Sequence, residues 1–440
     1  MRIIIVSFKD LIRWDVKYFL AKLTFKKDLI ELKEVIVPKN EKIKKDSYKG
    51  DYEIVEKIAF DNGQVYFRSE RKTGMDLYKA DKGNLLTSKI NLHQGAVALC
   101  PKDLVCSTHY YVYEIKEEKI IPEYLILILR SAPFLNAIES LKASSIKNEI
   151  GPSFLLDLRV YVPSLVEQQK IVDQWNKAQQ EAQELKEKAT AKEKAIDDYI
   201  LSELGIEKKE YQKKKGAFVV RFKDLERWGI NFNSYDWNLD NLFETKKYAT
   251  ERIGKIAKIN QTYLFLKDKL NQNISFIPME NVSDIEGRVE KKDIRKLSEV
   301  INGYTRFVEG DIIFAKITPC MENGKCAIAD GLENGIGIGS TEFHVLTPDK
   351  NLIETKYLWN ILRLKFFRKS AKRYFIGSVG QQRVPVDFLE KIKIPILPIS
   401  IQQEIIQKVD EMREEIVEIR KMAETILENT KREIGQMLEK

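Results

Sequence analysis

Two long stretches of the chain carry the same pattern of apolar positions. In the first, the series runs Ile171, Trp175, Ala178, Ala182, Leu185, Ala189, Lys192, Ile196 and Tyr199. In the second it runs Ile405, Val409, Met412, Ile416, Ile419, Ala423, Ile426 and Thr430. Spacings that alternate between four and three place these residues on one seam of a helix that supercoils with a partner. Each stretch is entered through a proline and a Gln-Gln pair, Pro163 with Gln168-Gln169 and Pro398 with Gln402-Gln403. Both the seams and the Gln pairs are 234 residues apart. The pattern predicts two matching helices, over 163–205 and 398–440. At 1.5 Å per residue, the stretch Leu165–Glu203 makes a rod of about 58 Å.

The remaining chain alternates at period two in short runs, as half-buried strands do. These runs are Ile54–Ala59, Val65–Phe67, Val97–Leu99 and Tyr110–Ile115, then Ile312–Phe314, Lys325–Ala329 and Phe343–Leu346. Each set is followed by a helical pattern, Pro122–Leu141 or Thr355–Phe375. The expected fold is therefore α+β. Two globular domains, 1–162 and 218–397, are separated by the long helices, with a linker at 206–217.

The two halves are an internal duplication. Phe8-Lys9-Asp10-Leu11-Ile12-Arg13-Trp14 returns as Phe222-Lys223-Asp224-Leu225-Glu226-Arg227-Trp228. Gly83–Ile90 parallels Gly310–Ile317, and Ile128-Leu129-Arg130 parallels Ile361-Leu362-Arg363. Duplicated halves usually pair about a two-fold axis, which sets the two long helices antiparallel as an intramolecular coiled coil. The alanines of the first seam allow close approach to the larger residues of the second.

Charge sharpens this picture. The 440 residues carry a net +8. The domains hold +5 and +6 and the linker +3, while each long-helix segment is −3. Two basic bodies on mildly acidic helices suit a polyanionic partner that the helices do not touch. The apolar runs are too short to span a bilayer, Leu125–Leu129 being the longest, and a cytoplasmic protein is expected. Four cysteines form two C-x5-C pairs, Cys100/Cys106 and Cys320/Cys326. This spacing is wider than usual for zinc, so reduced structural thiols and no metal are expected.

Enzyme signatures are weak. No Pro-Pro pair occurs, as a methyltransferase tetrapeptide requires. Gly335-Ile336-Gly337-Ile338-Gly339-Ser340 misses the third glycine of a dinucleotide loop, and is read as turns beside a strand. Pro348-Asp349 with Glu354-Thr355-Lys356 imitates a nuclease motif, but Glu354 heads a helix. A non-catalytic chain without a cofactor of its own is expected.

The layout of domain, long helix, domain, long helix resembles the DNA-specificity (S) subunit of type I restriction–modification systems. So do the Pro…Gln-Gln helix entries, the stretch Gly310-Asp311-Ile312-Ile313-Phe314-Ala315-Lys316-Ile317-Thr318-Pro319-Cys320-Met321-Glu322-Asn323-Gly324-Lys325, and Ser340-Thr341-Glu342-Phe343. The first domain departs from it, since its Lys89–Gly95 segment is shorter. The resemblance implies a bipartite target in double-stranded DNA, with each domain reading one half-site in the major groove and the coiled coil fixing the gap. It also implies two methyltransferase subunits, which would use S-adenosylmethionine, and restriction subunits for cleavage.

Candidate DNA contacts follow from residue type. Lys365, Arg368, Lys369 and Lys372 share one face of a basic helix that ends at Arg373, suited to phosphate; a solvated face explains them equally simply. Ser378, Gln381, Gln382 and Arg383 lie in a glycine-bearing loop, and Gln and Arg pair with adenine and guanine edges. Lys147 and Asn148 are the first-domain counterparts. Lys89, Asn91, His93, Gln94, Lys316, Thr318, Glu322, Asn323 and Lys325 lie in loops where turn chemistry is the alternative. Gln168, Gln169, Gln402 and Gln403 are read either as docking positions for methyltransferase subunits or as helix caps. Two readings compete with DNA recognition: a coiled-coil scaffold for protein partners, and an autonomous DNA-modifying enzyme.

Overall fold

In the computed structural model both predicted long helices are unbroken, Leu165–Glu203 with 39 residues and Ile399–Glu439 with 41. The structure describes residues 29–39, 41–142, 155–207, 214, 216–222, 230–233, 242–264, 269–378 and 380–439. The Phe8–Trp14 repeat, and its copy beyond Phe222, lie outside them.

The chain divides into two compact bodies. One comprises Met1–Glu187 with Arg420–Lys440, and the other Lys188–Ile419. Each body thus holds a globular domain and a stretch of both long helices. In the first body, Gln174 Nε2 donates to Glu433 Oε2 at 2.8 Å. Ile434 packs with Ile171, Val172 and Trp175. In the second body, Lys192 pairs with Glu415, and Tyr199 lies in the field of Lys408, Glu404 and Glu411. As numbers rise along one helix they fall along the other, so the stretches are antiparallel in each body, as the duplication predicts. The seam residues Ile171, Ala178, Ala182, Ala189 and Ile196 are buried, as are Ile405, Val409, Ile416, Ile419 and Ala423. Full burial of one such isoleucine contributes about 2 kcal/mol.

The first body contains β1 (Leu29–Glu31), β2 (Ile36–Pro38), β3 (Lys42–Ile43), β4 (Val55–Ile58), β5 (Val65–Phe67), β6 (Leu77–Ala80), β7 (Leu85–Ser88), β8 (Val97–Leu99), β9 (Leu104–Ser107), β10 (Tyr110–Ile115) and β11 (Arg159–Tyr161). Its main sheet has the order β2-β10-β7-β8, beside a β1-β11 pair, a β3-β6-β9 sheet and a β4-β5 hairpin. The second body contains β12 (Thr250–Arg252), β13 (Ala257–Ile259), β14 (Asn273–Ile277), β15 (Asp293–Lys296), β16 (Thr305–Val308), β17 (Ile312–Ala315), β18 (Cys326–Ile328), β19 (Ile336–Gly339), β20 (Phe343–Pro348) and β21 (Lys393–Pro395). Its main sheet, β13-β20-β17-β18, repeats the first, and β12-β21 repeats β1-β11. The remainder differs: here it is one sheet of order β15-β14-β19-β16, in which β14 and β19 are parallel. The duplicated frame and the divergent half are thus separate sheets within each body, packed against each other through a shared core.

Several sequence expectations change. The Gly335–Ser340 stretch is mainly strand β19 rather than turns. A Cβ on Gly337 would lie 2.0 Å from the Phe307 ring, so glycine is required by close cross-strand packing. Each predicted domain helix is two. Pro122–Leu129 stops at Arg130 and Ala132–Lys142 follows. Thr355–Arg363 stops at Leu364, whose ψ is 132°. Lys365–Lys372 then restarts, and its first N–H is accepted by Asp197 Oδ2 at 2.9 Å. The cap comes from the long helix, not from the local sequence.

Matched contacts recur in both bodies, within the domains and from the long helices to them. Tyr124 OH donates to the Tyr161 carbonyl at 3.1 Å, and Tyr357 OH to that of Pro395 at 3.1 Å. Gln168 and Gln402 are fully buried. Gln168 Oε1 accepts the Ile121 N–H, and its Nε2 donates to the Lys119 and Pro163 carbonyls. Gln402 Oε1 accepts the Glu354 N–H, and its Nε2 donates to the Leu352 and Leu397 carbonyls. These two residues are therefore internal clamps. They neither present a docking surface nor cap their own helices. Gln169 and Gln403 are exposed.

Candidate nucleic-acid interface

In the first domain, β7 ends in a turn built by Ser88, whose Oγ accepts the Asn91 N–H at 3.1 Å. The single turn Leu92–Gln94 follows, anchored by the buried Leu92. It closes on Gly95 at φ +92°, a backbone that favours glycine. Gln94 is thereby exposed and Asn91 and His93 half-buried. The Lys89 ammonium sits 4.4 Å from the centre of the Tyr111 ring. Lys147 and Asn148 lie outside the described residues.

The second domain builds the equivalent loop differently. After β17 come Lys316, Ile317 and a cis Thr318–Pro319 bond. The turn Cys320–Asn323 then closes on Gly324 at φ +96°. This loop joins the 376–383 segment. Thr318 N–H donates to the Gln382 carbonyl at 2.9 Å and Val384 N–H to the Lys316 carbonyl at 2.8 Å. Two candidate regions that are remote in sequence thus form one surface. On it Ser378, Gln381 and Asn323 are exposed and Gln382 is half-buried. The buried Thr318 hydroxyl has no hydrogen-bond partner among the described residues.

Several expected contacts are engaged within the chain. The Arg383 guanidinium forms two parallel bonds to Glu342, at 2.9 and 2.8 Å. It holds the Glu342 carboxyl below the usual carboxylate range. Lys325 Nζ donates to the Met279 carbonyl at 2.9 Å. Arg368 does not share the solvated face expected of it, because it donates to the Glu322 carbonyl and, at 3.2 Å, to that of Arg363. Burial lowers its pKa. Lys372 pairs with Glu322 at 2.5 Å. Lys365 and Lys369 are exposed on that helix.

The nuclease-like residues are also structural. Glu354 accepts from Gln403 and Lys356 pairs with Asp410. Cys100, Cys106 and Cys326 are buried free thiols. Burial pushes the Cys100 and Cys326 thiols up to about 12.

Sequence reasoning missed a polar cleft of about 380 Å³ beside Lys316, lined by Asn260, Gln261, Tyr263, Tyr304 and Arg306 among others. Asn260 holds a φ of +51°, and Tyr304 is exposed. The available signal was Asn260-Gln261-Thr262-Tyr263, a polar run closing a short strand.

Two similarly framed domains, each carrying a differently built polar loop and joined to paired helices, define an internally duplicated protein. The family model "Type I restriction modification DNA specificity domain" matches residues 25–193 and 245–428, so the chain belongs to that family. Over 154 residues it is 44% identical to the type I restriction enzyme EcoAI specificity subunit of Escherichia coli, covering 35% of this chain and 26% of that protein. Over 199 residues it is 31% identical to the putative type I restriction enzyme MjaX specificity subunit of Methanocaldococcus jannaschii, covering 43% of each. The matches thus span less than half the length of these curated relatives. A solved chain, described under complex assembly and conformational transition of the type I R-M system, shares the fold. Its TM-score is 0.51 at 15% identity, over 94% of this chain and 96% of that one.

Proposed function

We propose that the chain is the sequence-specific DNA-recognition subunit of a type I restriction–modification complex. Residues 1–162 and 218–397 are the two target-recognition domains, and each reads one half of a bipartite target. The helices 163–205 and 398–440 set the gap between the half-sites, and 206–217 is a linker. The chain is non-catalytic. Methyltransferase subunits, using S-adenosylmethionine, and restriction subunits supply the chemistry, with Gln169 and Gln403 as exposed docking positions.

The observation that carries this reading is the contrast inside each body. The frame that meets the long helices is duplicated down to single hydrogen bonds, whereas the outward loops differ in length and construction. A protein whose two ends must be held alike but read different sequences requires that combination. Asn91, His93 and Gln94 in one loop, and Lys316, Thr318, Asn323, Ser378, Gln381 and Gln382 in the other, offer groups that match base edges and phosphate. Lys89 and the exposed basic helix add sequence-independent attraction.

The test is co-expression with the methyltransferase partner, followed by long-read mapping of methylated adenine. A bipartite motif is expected, and replacing residues 218–397 should alter one half of it. Absence of any bipartite motif sinks the reading.

A further inference from the structure

An arginine turned inward closes the first helix of each domain: Arg130 caps Pro122–Leu129, and Arg363 is the last residue of Thr355–Arg363. Arg130 Nη1 donates to the Gly95 carbonyl at 2.6 Å, and its Nη2 to that of Phe60 at 2.9 Å. Arg363 Nη1 donates to the Gly324 carbonyl at 2.8 Å. Its Nη2 donates to the Asp284 and Ile285 carbonyls at 3.1 and 2.8 Å. Each guanidinium therefore bridges two loops. One is the loop of candidate DNA contacts, at the glycine that closes it. The other precedes a further positive-φ glycine, Gly63 at +77° or Gly287 at +69°.

Those second glycines are shaped around the arginine. A Cβ on Gly63 would lie 2.8 Å from Arg130 Nη1, and one on Gly287 would lie 2.2 Å from Arg363 Nη1. The same arrangement occurs in two domains whose loops otherwise differ, and a chance contact would not be expected twice. The second loops project side chains of their own. Asn62 and Gln64 are exposed in one domain, and Ile285 and Arg288 in the other.

We propose that Arg130 and Arg363 are positioning residues for sequence recognition. Each fixes the candidate contact loop against a second recognition loop, 60–64 or 284–288, so that the two address one half-site together. This rests on the DNA-recognition reading above. The planar fork is the essential feature, because it meets carbonyls on both sides at a fixed angle. A lysine ammonium is a point donor and cannot hold both loops in one geometry. Bases are discriminated by bidentate contacts whose alignment depends on loop placement.

The test uses the full chain in complex with its methyltransferase partner, mapping methylated adenines for the wild type, Arg130→Gln and Arg363→Gln. Each variant should relax base preference in one half of the motif only, and the two should affect opposite halves. Methylation of sites mismatched in that half should rise relative to matched sites by about tenfold, with the gap length unchanged. Arg130→Lys and Arg363→Lys keep the charge but lose the fork. They should show the same half-specific relaxation, and they serve if the glutamine variants do not fold. An unchanged motif, equal relaxation in both halves, or loss of methylation at all sites alike overturns the proposal. A wild-type map without a bipartite motif instead removes the DNA-recognition reading itself.

Discussion

The side-chain oxygen of Gln168 accepts the backbone N–H of Ile121 at 2.8 Å, and Gln402 makes the same bond to Glu354 at 2.8 Å. Ile121 and Glu354 are the residues at which the domain helices Pro122–Leu129 and Thr355–Arg363 begin. Each glutamine thus replaces water at a helix start that its neighbours bury. Replacing either with leucine removes all three bonds and leaves a buried N–H and carbonyls unmet. The expected loss is about 3 kcal/mol in the unfolding of the body concerned, measured by urea titration. Gln169→Ala and Gln403→Ala, at exposed positions, should stay within about 0.5 kcal/mol. A Gln402→Leu variant as stable as Gln403→Ala would contradict the clamp.

Much of the fold was legible because it rests on periodicity. The seams from Ile171 and Ile405 repeat for many turns, so their summed signal outweighs local noise, and matched residues such as Tyr124 and Tyr357 kept their partners. The helical pattern reads as one helix through Ser131-Ala132-Pro133, although a proline there favours the first turn of a new helix, Ala132–Lys142. The break at Leu364 was not legible, because its cap, Asp197, is 168 residues away. The site was less legible for the same reason. Lys365, Arg368, Lys369 and Lys372 read as one basic face, but Arg368 donates to the Glu322 carbonyl and Lys372 pairs with the Glu322 carboxylate, in a loop that no local rule brings near. Polar residues show their type in the sequence, whereas their partners depend on tertiary packing.

Lys365 and Lys369 are exposed on the helix Lys365–Lys372, while Lys372 is paired with Glu322. If this face meets phosphate, these two ammonium groups, which have no acidic partner among the described residues, release more counterions than the paired one. Lys365→Ala and Lys369→Ala should each lower the slope of log affinity against log salt by about 0.9, with similar losses on all DNA sequences. Lys372→Ala should change it less. Fluorescence titrations of the assembled complex from low to high salt measure this. Equal slopes for the wild type and the Lys365→Ala/Lys369→Ala double variant would place the DNA elsewhere.

The Glu342–Arg383 pair sits between the two contact loops of the second domain, with both side chains partly exposed. The carboxylate neutralises a guanidinium that otherwise has the geometry to pair with guanine or phosphate. Glu342→Gln should strengthen non-specific DNA binding and steepen the salt slope by about 0.9. Discrimination between target and non-target DNA should fall. The same titrations on both DNAs test it, and weaker binding by this variant would show that the pair itself is the recognition element.

His344 is buried below that surface, and its environment selects the neutral ring. The Asn260 amide presents its Nδ2 to His344 Nδ1 at 3.0 Å, because its Oδ1 accepts the Val345 N–H at 3.0 Å. Nδ1 must then accept, which leaves Nε2–H to donate to the Val384 carbonyl at 2.8 Å. Burial is the main cause of a pKa below the ordinary 6.5, and nearby Lys316 lowers it further. The Val384 carbonyl and Glu342 act in the opposite direction without reversing it. A folded-state pKa below the unfolded one means that the unfolded chain binds the proton more readily. The contribution of His344 to stability is therefore complete above about pH 6.5 and is lost as pH falls from there through the folded-state value. Its slope is at most about 1.4 kcal/mol per pH unit. Subtracting the unfolding free energy of His344→Gln from that of the wild type, between pH 7.5 and 5 on the order of half-unit steps, isolates this group from the other titrating side chains. The difference should shrink as the solution is acidified. A difference that is flat or grows toward pH 5 would mean that the ring is protonated in the folded domain and that the Asn260 amide is turned the other way.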